Sequence, residues 1–295
     1  MLPTGASLAR ALEEAEGRPE ATLAPGALTI ATVEYPTLVA AHYLHRLESI
    51  ADQALDAVAT HAGVEGPLHA RIDAINRCLY GTLGFHGNRD HYADVRNSCL
   101  NQVIDRRTGI PITMAIVYMD VARRAGLRVE GINFPGHFLV RVRDDAALAE
   151  AGPGLIVDAF NGGAILAESD CRALLAGHED AMPFRPELLA RATRRQVFAR
   201  MLVNLKRLYV QNRSFPQAHA VTDALLTLSP SSLPDLRDRG LLSYHLHDYP
   251  AALRDLEEYL RLFTLTDRGD DEAREETTQV WDHVKSLRRR VASLN

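Results

Sequence analysis

Cysteine is scarce in this chain: three residues in 295, at positions 78, 99 and 171. An odd number at wide spacing excludes a disulfide framework and a zinc knuckle, and a reducing, cytoplasmic compartment is expected. No uninterrupted run of about 18 apolar residues occurs, so no membrane span is expected. Clustered Lys and Arg are missing too, and the net charge is −5. A nucleic-acid partner is therefore not expected, because binding a phosphate backbone needs basic clusters that displace counterions. The first twenty residues lack a basic start and a continuous apolar stretch, so they do not read as a signal peptide. What is present is ordinary for a globular protein: 46% apolar against 24% charged residues makes a sizeable core the expectation and disorder the exception.

Residues 1–27 read as a loosely held leader, with a short amphipathic piece (LARALEEAE) and a linker punctuated by Pro25 and Gly26. From Tyr35 to His61 apolar residues recur at three- and four-residue steps, from Leu38, Ala41, Leu44 and Leu47 through Ile50 and Ala54 to Leu55 and Val58. That spacing predicts a helix with one buried stripe. A second helix is expected over Leu68–Leu83, with Ile72, Ile75, Cys78 and Leu79 inward. The stretch GFHGNRDHYADVRNSCLN reads as an ordered loop leading to a helix over Cys99–Asp105, with Asn97 or Ser98 as its cap. His86, Asp90, His91 and Asp94 in this loop match no tight ligand spacing, so no metal and no cofactor is expected.

The central run is GIPITMAIVYMDVARRAGLRVEGINFPGHFLVRV, Gly109 to Val142. A helix over about Ile112–Ala125 is apolar nearly all round and should be buried on most sides. Pro111 suits its first turn, Gly126 its left-handed C-terminal cap, and Arg123 and Arg124 the negative end of its dipole. Leu127–Asn133 and His137–Arg143 alternate as strands about a Pro135-Gly136 turn, so His137 opens a strand. A polar loop, DDAALAEAGPG, precedes a further strand, Leu155–Asp158, and Asn161-Gly162-Gly163 turn the chain. The expected class is α+β: a helix-rich domain with a small antiparallel sheet, followed by an all-α region.

Beyond Arg185-Pro186 the pattern is helical and repeats itself. Phe215-Pro216-Gln217-Ala218 recurs as Tyr249-Pro250-Ala251-Ala252, and the same offset of 34 residues pairs Leu208 with Leu242, Leu226 with Leu260 and Leu228 with Leu262. Thirty-four is the period of tetratricopeptide repeats. Two such units fall short of the three or so that an array needs. Flanking helices, Arg195–Tyr209 and a charged tail over Asp270–Leu294, or support from the sheet domain, must complete the stack. A groove of this kind takes a protein or peptide partner.

A helix start followed by a histidine and then an aspartate is the chain order of a papain or transglutaminase triad. His137 is placed as a base and Asp158 as its orienter, although a strand histidine and an Asp before Asn-Gly-Gly also have structural readings. The thiol expected at the helix start is missing. Thr113 lies close to that helix end, but it reads more readily as a capping or packing residue than as a nucleophile. Cys99 belongs to a different, preceding helix and reads as a core side chain.

The segment NSCLNQVIDRRTGIPITMAIVYMDVARRAGLRVEGINFPGHFLVRV with IVDAFNGG resembles the bacterial SirB-type family of transglutaminase-like proteins, over roughly residues 34–265. The resemblance implies a papain-like domain joined to C-terminal tetratricopeptide repeats. It also implies that Pro111 stands in the nucleophile's place while His137 and Asp158 fill the other two positions of the triad. The expected organisation is a leader over 1–27, a transglutaminase-like domain over 28–186, repeats over 187–266 and a capping helix over 267–295. Asn97, Thr113 and Asn161 are candidate cleft residues. The implied function is a non-catalytic, protein-binding or regulatory accessory. The alternative is a peptidase- or amidase-class hydrolase or acyltransferase that uses His137 and Asp158 with water or another nucleophile.

Overall fold

The computed structural model of the chain describes residues 3–16, 22–144, 154–177, 182–266 and 271–292. It divides into two compact units, Ala11–Met201 and Met1–Arg10 together with Leu202–Asn295.

Helix α1 (Gly5–Glu16) buries Leu8, Ala9 and Leu12, so the amphipathic piece is not a loose leader. Pro25 and Gly26, expected in a linker, form the first turn of α2 (Ala24–Ala31). A proline is tolerated there because its missing N–H has no partner to lose. Gly26 is required by space, since a Cβ would lie 2.3 Å from the Phe198 ring. Helix α3 (Ala40–His61) starts five residues later than its apolar pattern suggests. Pro36 disfavours helical geometry at Tyr35, and the buried stripe runs through Leu47, Ala51, Ala54 and Val58 while Ala41 and Leu55 face solvent.

The helix expected over Leu68–Leu83 is composite: α4 (Leu68–Asn76) passes into a π-helical turn, Arg77–Thr82. Ile72, Ile75, Cys78 and Leu79 are buried as the spacing requires. Two-residue strands β1 (His86–Gly87) and β2 (Thr108–Gly109) pair in parallel. Between them lie a 3-10 turn over Val95–Ser98 and α5 (Leu100–Arg106). Neither Asn97 nor Ser98 caps α5. The N-cap position is Cys99, and Asp94 instead caps the 3-10 turn by accepting from the Arg96 amide at 2.9 Å.

Helix α6 (Pro111–Arg124) is buried at every position from Pro111 to Ala122. Even Asp120 is inside, where it accepts from Arg124 at 3.1 Å. Arg71 closes the other end by donating to the carbonyls of Ala125 and Gly126, and Gly126 takes the left-handed cap with φ +76°. Strands β3 (Leu127–Ile132), β4 (Leu139–Asp144), β5 (Leu155–Asp158) and β6 (Ala164–Leu166) form an antiparallel meander in that order. Most of the polar loop before Leu155 lies outside the described residues. The first three strands match the alternating pattern, except that His137 sits in the bend two residues before β4 instead of opening it. Helix α7 (Glu168–Ala176) sets Cys171 and Leu175 against Ile132, Phe134 and Leu139. This unit is therefore α+β, with most of its mass in helices.

Helix α8 (Arg194–Gln211), like α1, contributes residues to both units. It is followed by α9 (Phe215–Leu228), α10 (Leu233–His245), α11 (Tyr249–Thr266) and α12 (Asp271–Ala292). The 34-residue offset extends to individual backbone bonds. Ser214 donates to the Tyr209 carbonyl at 2.8 Å, and Asp248 donates to that of Ser243 at 2.9 Å. Arg213 and His247, one residue earlier in each turn, both have positive φ, at 55° and 63°. Two different sequences adopt one turn because the aromatic that follows, Phe215 or Tyr249, begins the second helix at the same step. Helix α12 places Val280, Val284 and Leu287 on Ala252, Leu256, Tyr259 and Leu260, so a charged tail with one apolar stripe closes the stack.

Close approach of α10 to α11 depends on Gly240, where a Cβ would lie 2.7 Å from the buried Leu256 side chain. Gly240→Val is expected to lower unfolding stability by about 1–3 kcal/mol despite removing a helical glycine. Denaturant unfolding of the full chain checks this, and an unchanged midpoint would show that the two helices do not need the contact.

Candidate functional site

Asp158 ends β5 with its side chain only 1% exposed, so its carboxylate needs hydrogen bonds from every side. It has them. Oδ1 accepts from the backbone amides of Phe160 at 3.1 Å and Asn161 at 3.2 Å, and Oδ2 accepts from Asn161 Nδ2 at 2.7 Å. The two amides are available because Asp158 caps a 3-10 turn over Ala159–Asn161. Gly162 and Gly163 then leave that turn with φ of 70° and 75°, a geometry that favours glycine. Burial alone would raise the Asp158 pKa. The bonds from His137 and Asn161, with the His137 charge, outweigh burial and hold it below the ordinary carboxylate value.

The fourth bond comes from His137, whose Nε2 lies 2.9 Å from Asp158 Oδ1. A carboxylate can only accept, so Nε2–H is the donor and Nδ1 is left outside this bond. The bend holding His137 is pinned on both sides by the fully buried Phe134 and Phe138. His137 N donates to the Phe134 carbonyl at 3.1 Å, which also accepts from Arg200 at 2.8 Å, and the Arg200 guanidinium lies over the Phe138 ring. Phe160 meets the imidazole edge-on at 5.9 Å between ring centres. His137 is thus a positioned imidazole with 13% of its side chain exposed, beside a buried carboxylate.

The other sequence-derived candidates divide. Asn161 joins the dyad directly through Asp158, and its Oδ1 accepts from Arg89. Asn97 is fully buried with both ends of its amide committed: Nδ2 donates to the His91 carbonyl at 2.7 Å, and Oδ1 accepts from Asn88 at 3.1 Å. It organises the 88–97 loop. Thr113 is fully buried, donates to the Asn97 carbonyl at 2.8 Å and accepts from Ile110 N at 3.1 Å. Its hydroxyl ties the start of α6 to the loop and is not poised as a nucleophile. Pro111 occupies the first turn of α6, and this helix packs against the Ala159–Asn161 turn.

All three thiols are buried. Cys99 is wholly inaccessible, and burial, with the negative charges of Glu34 and Asp94, pushes its pKa far up. Burial of this kind disfavours the thiolate that nucleophilic chemistry needs. Around the His86–Asp94 loop, Asp94 is engaged by Arg96 and Arg106, and His86 Nδ1 meets the Gly84 carbonyl at 3.1 Å. Among the described residues no three His, Cys, Asp or Glu side chains converge as metal ligands would. The 89–96 loop lines a groove of about 650 Å³, and Tyr92 in it meets Phe160 edge-on.

Sequence reasoning missed four residues here: Asn76, Tyr80, Arg89 and Phe160. Phe160 stood inside the quoted IVDAFNGG motif and could have been found from it. Asn76, Tyr80 and Arg89 reach the site through long-range contacts that no local pattern signals.

Comparison with known proteins agrees with this architecture. Residues 41–203 match the family model of the transglutaminase-like superfamily, and residues 205–280 match a tetratricopeptide repeat model. A UPF0162 protein of Xylella fastidiosa is 37% identical over 83% of this chain and 85% of its own length. Protein SirB1 of Salmonella typhimurium is 24% identical over 76% of this chain and 79% of its own. F-box only protein 21 of Mus musculus is 34% identical over 61% of this chain, a match that covers 28% of that protein. Together with the α+β unit and its repeat helices, these matches show that the chain belongs to the transglutaminase-like superfamily, as a SirB-type protein with C-terminal tetratricopeptide repeats.

Proposed function

We propose that this protein is a binding or regulatory accessory whose transglutaminase-like domain (28–186) has no nucleophile. Its repeat region (187–266), capped by 267–295, takes a protein or peptide. It works in the cytoplasm, without a metal, cofactor or nucleic acid. One observation supports the reading: the start of α6 presents no thiol, and its one hydroxyl is already hydrogen-bonded. Pro111 has no reactive side-chain atom, the Thr113 hydroxyl is spent on the Asn97 carbonyl, and Cys99 is sealed in the core. The repeat helices supply the binding surface. A groove of about 810 Å³ there is lined by the half-buried Leu236 and Leu253 with Arg239, Arg261 and Glu258, a mixed apolar and charged lining that suits a peptide.

A second reading has its own support. The dyad is intact, and a histidine oriented by a buried carboxylate is a competent general base for water. It would make the protein a hydrolase or acyltransferase of the peptidase or amidase class.

The two readings part on His137→Ala. The accessory reading expects partner binding to survive this substitution and no hydrolysis or acyl transfer to be lost from a screen of peptide, amide and thioester substrates. A turnover present in the native protein and abolished in the variant would overturn it. A thiol-reactive acyl probe is expected to leave Cys78, Cys99 and Cys171 unlabelled in the folded protein and to label them after denaturation. Stoichiometric native labelling of Cys99 that depends on His137 would restore a nucleophile.

The buried carboxylate also sets a pH dependence. Because the folded pKa of Asp158 lies below its unfolded value, its stabilising contribution is present above the ordinary carboxylate range and is lost as pH falls through the folded value. Asp158→Asn is expected to be less stable than the native chain by about 1–3 kcal/mol at neutral pH. The gap should stay constant down to roughly pH 4 and close below it, as read by urea unfolding at successive pH values. A gap independent of pH would show that the Asp158 charge does not stabilise the fold.

A further inference from the structure

The π-helical turn after α4 is a costly way to continue a helix, and such turns are frequent at functional sites. Here it directs two side chains at the peptide that carries Asp158. Asn76, the last residue of α4, donates Nδ2 to the Gly163 carbonyl at 2.8 Å. Tyr80, inside the π turn, donates its hydroxyl to the Ala159 carbonyl at 2.9 Å. Four residues apart, they share one face, offset from the one that buries Ile75, Cys78 and Leu79. Together they grip both ends of the turn capped by Asp158. The fit is close: a Cβ on Gly163 would lie 2.0 Å from Asn76 Oδ1, so only glycine admits the clamp.

The turn has other restraints as well: Arg89 donates to Asn161 Oδ1, α6 packs against it, and β5 pairs with β4 through Val157 and Val140. Its own bonds are Asp158 accepting from Phe160 and Asn161, and Gly163 N donating to the Asp158 carbonyl at 2.9 Å. These fix its shape, and the pairing of Val157 with Val140 ties it to the strand that follows the Phe134–Phe138 bend carrying His137. Partners from α4 and the π turn, 87 and 79 residues away in sequence, add two bonds that hold the turn itself in that position. We infer that Asn76 and Tyr80 are positioning residues that hold the Asp158 carboxylate at hydrogen-bonding distance from His137, and that the π turn exists to aim them.

This rests on reading His137 and Asp158 as a dyad, and the two ideas fail separately. The readout is the His137 ring, followed by 15N and proton NMR in the full chain. The dyad itself requires a ring protonated at Nε2, with that proton protected from exchange. A native ring with no proton on Nε2 would remove the dyad before the clamp is considered. Given the dyad, Tyr80→Phe and Asn76→Ala are each expected to speed exchange of the Nε2 proton by roughly tenfold, the effect of weakening one hydrogen bond. Ile72→Val, on the core face of α4, is expected to leave that signal in place while lowering stability by about 0.5–1.5 kcal/mol. If the variants fold and the Nε2 proton exchanges as in the native protein, the positioning role is overturned. Asn76→Ala, which removes a half-buried polar side chain without adding volume, decides the matter alone if Tyr80→Phe does not fold.

Discussion

A single constraint governs the candidate site: an ionised carboxylate has been placed out of reach of water. Asp158 is almost wholly buried, and an uncompensated charge there would destabilise the fold by several kcal/mol. Much of the local architecture answers that demand. The 3-10 turn brings two backbone amides to Oδ1, Asn161 supplies a third donor to Oδ2, and the two left-handed glycines let the chain leave without losing them. His137 completes the shell and is itself fixed by two buried phenylalanines. A structural aspartate could be satisfied by the turn alone. The extra bond to an imidazole held by a separate segment is what gives the site a chemical meaning.

The same arrangement accounts for what the site lacks. In a cysteine acyltransferase the helix start supplies a thiol that the imidazole deprotonates. Here the helix begins with proline, and the Thr113 hydroxyl is engaged in tying Ile110 and Asn97 to that helix end. On the proposed reading a base and its orienter remain without an attacking atom, the form expected of a domain turned from catalysis to recognition. The repeat helices fit that use, because their two turns repeat bond for bond and α12 covers the exposed face of α11 with three apolar residues.

Much of this was legible in the sequence, and the legible parts share a cause. The central helix, its Gly126 cap and the alternating strands are local patterns with one physical solution each, and the 34-residue offset reports an identical turn used twice. His137 and Asp158 were found by chain order, and they meet. Departures arose where long-range contacts outrank local preference. Pro25 and Gly26 look like a linker, yet the Phe198 ring needs a glycine-thin surface and the proline fits a first helical turn. The helix through Leu83 looks regular, yet it widens into a π turn whose polar residues grip a peptide some eighty residues on. Asn97 looks like a helix cap, but its amide serves the loop before it.

The central claim is that α6, His137 and Asp158 keep the geometry of a cysteine acyltransferase with only the thiol removed. Pro111→Cys restores that atom, and the ultraviolet absorbance of its thiolate, followed against pH in the full chain, tests the claim most directly. The account predicts a cysteine ionised at neutral pH, well below the ordinary value of about 8.5, whose low pKa disappears when His137→Ala is added. A new thiol that stays protonated to pH 8 or above, and titrates identically with and without His137, would contradict it.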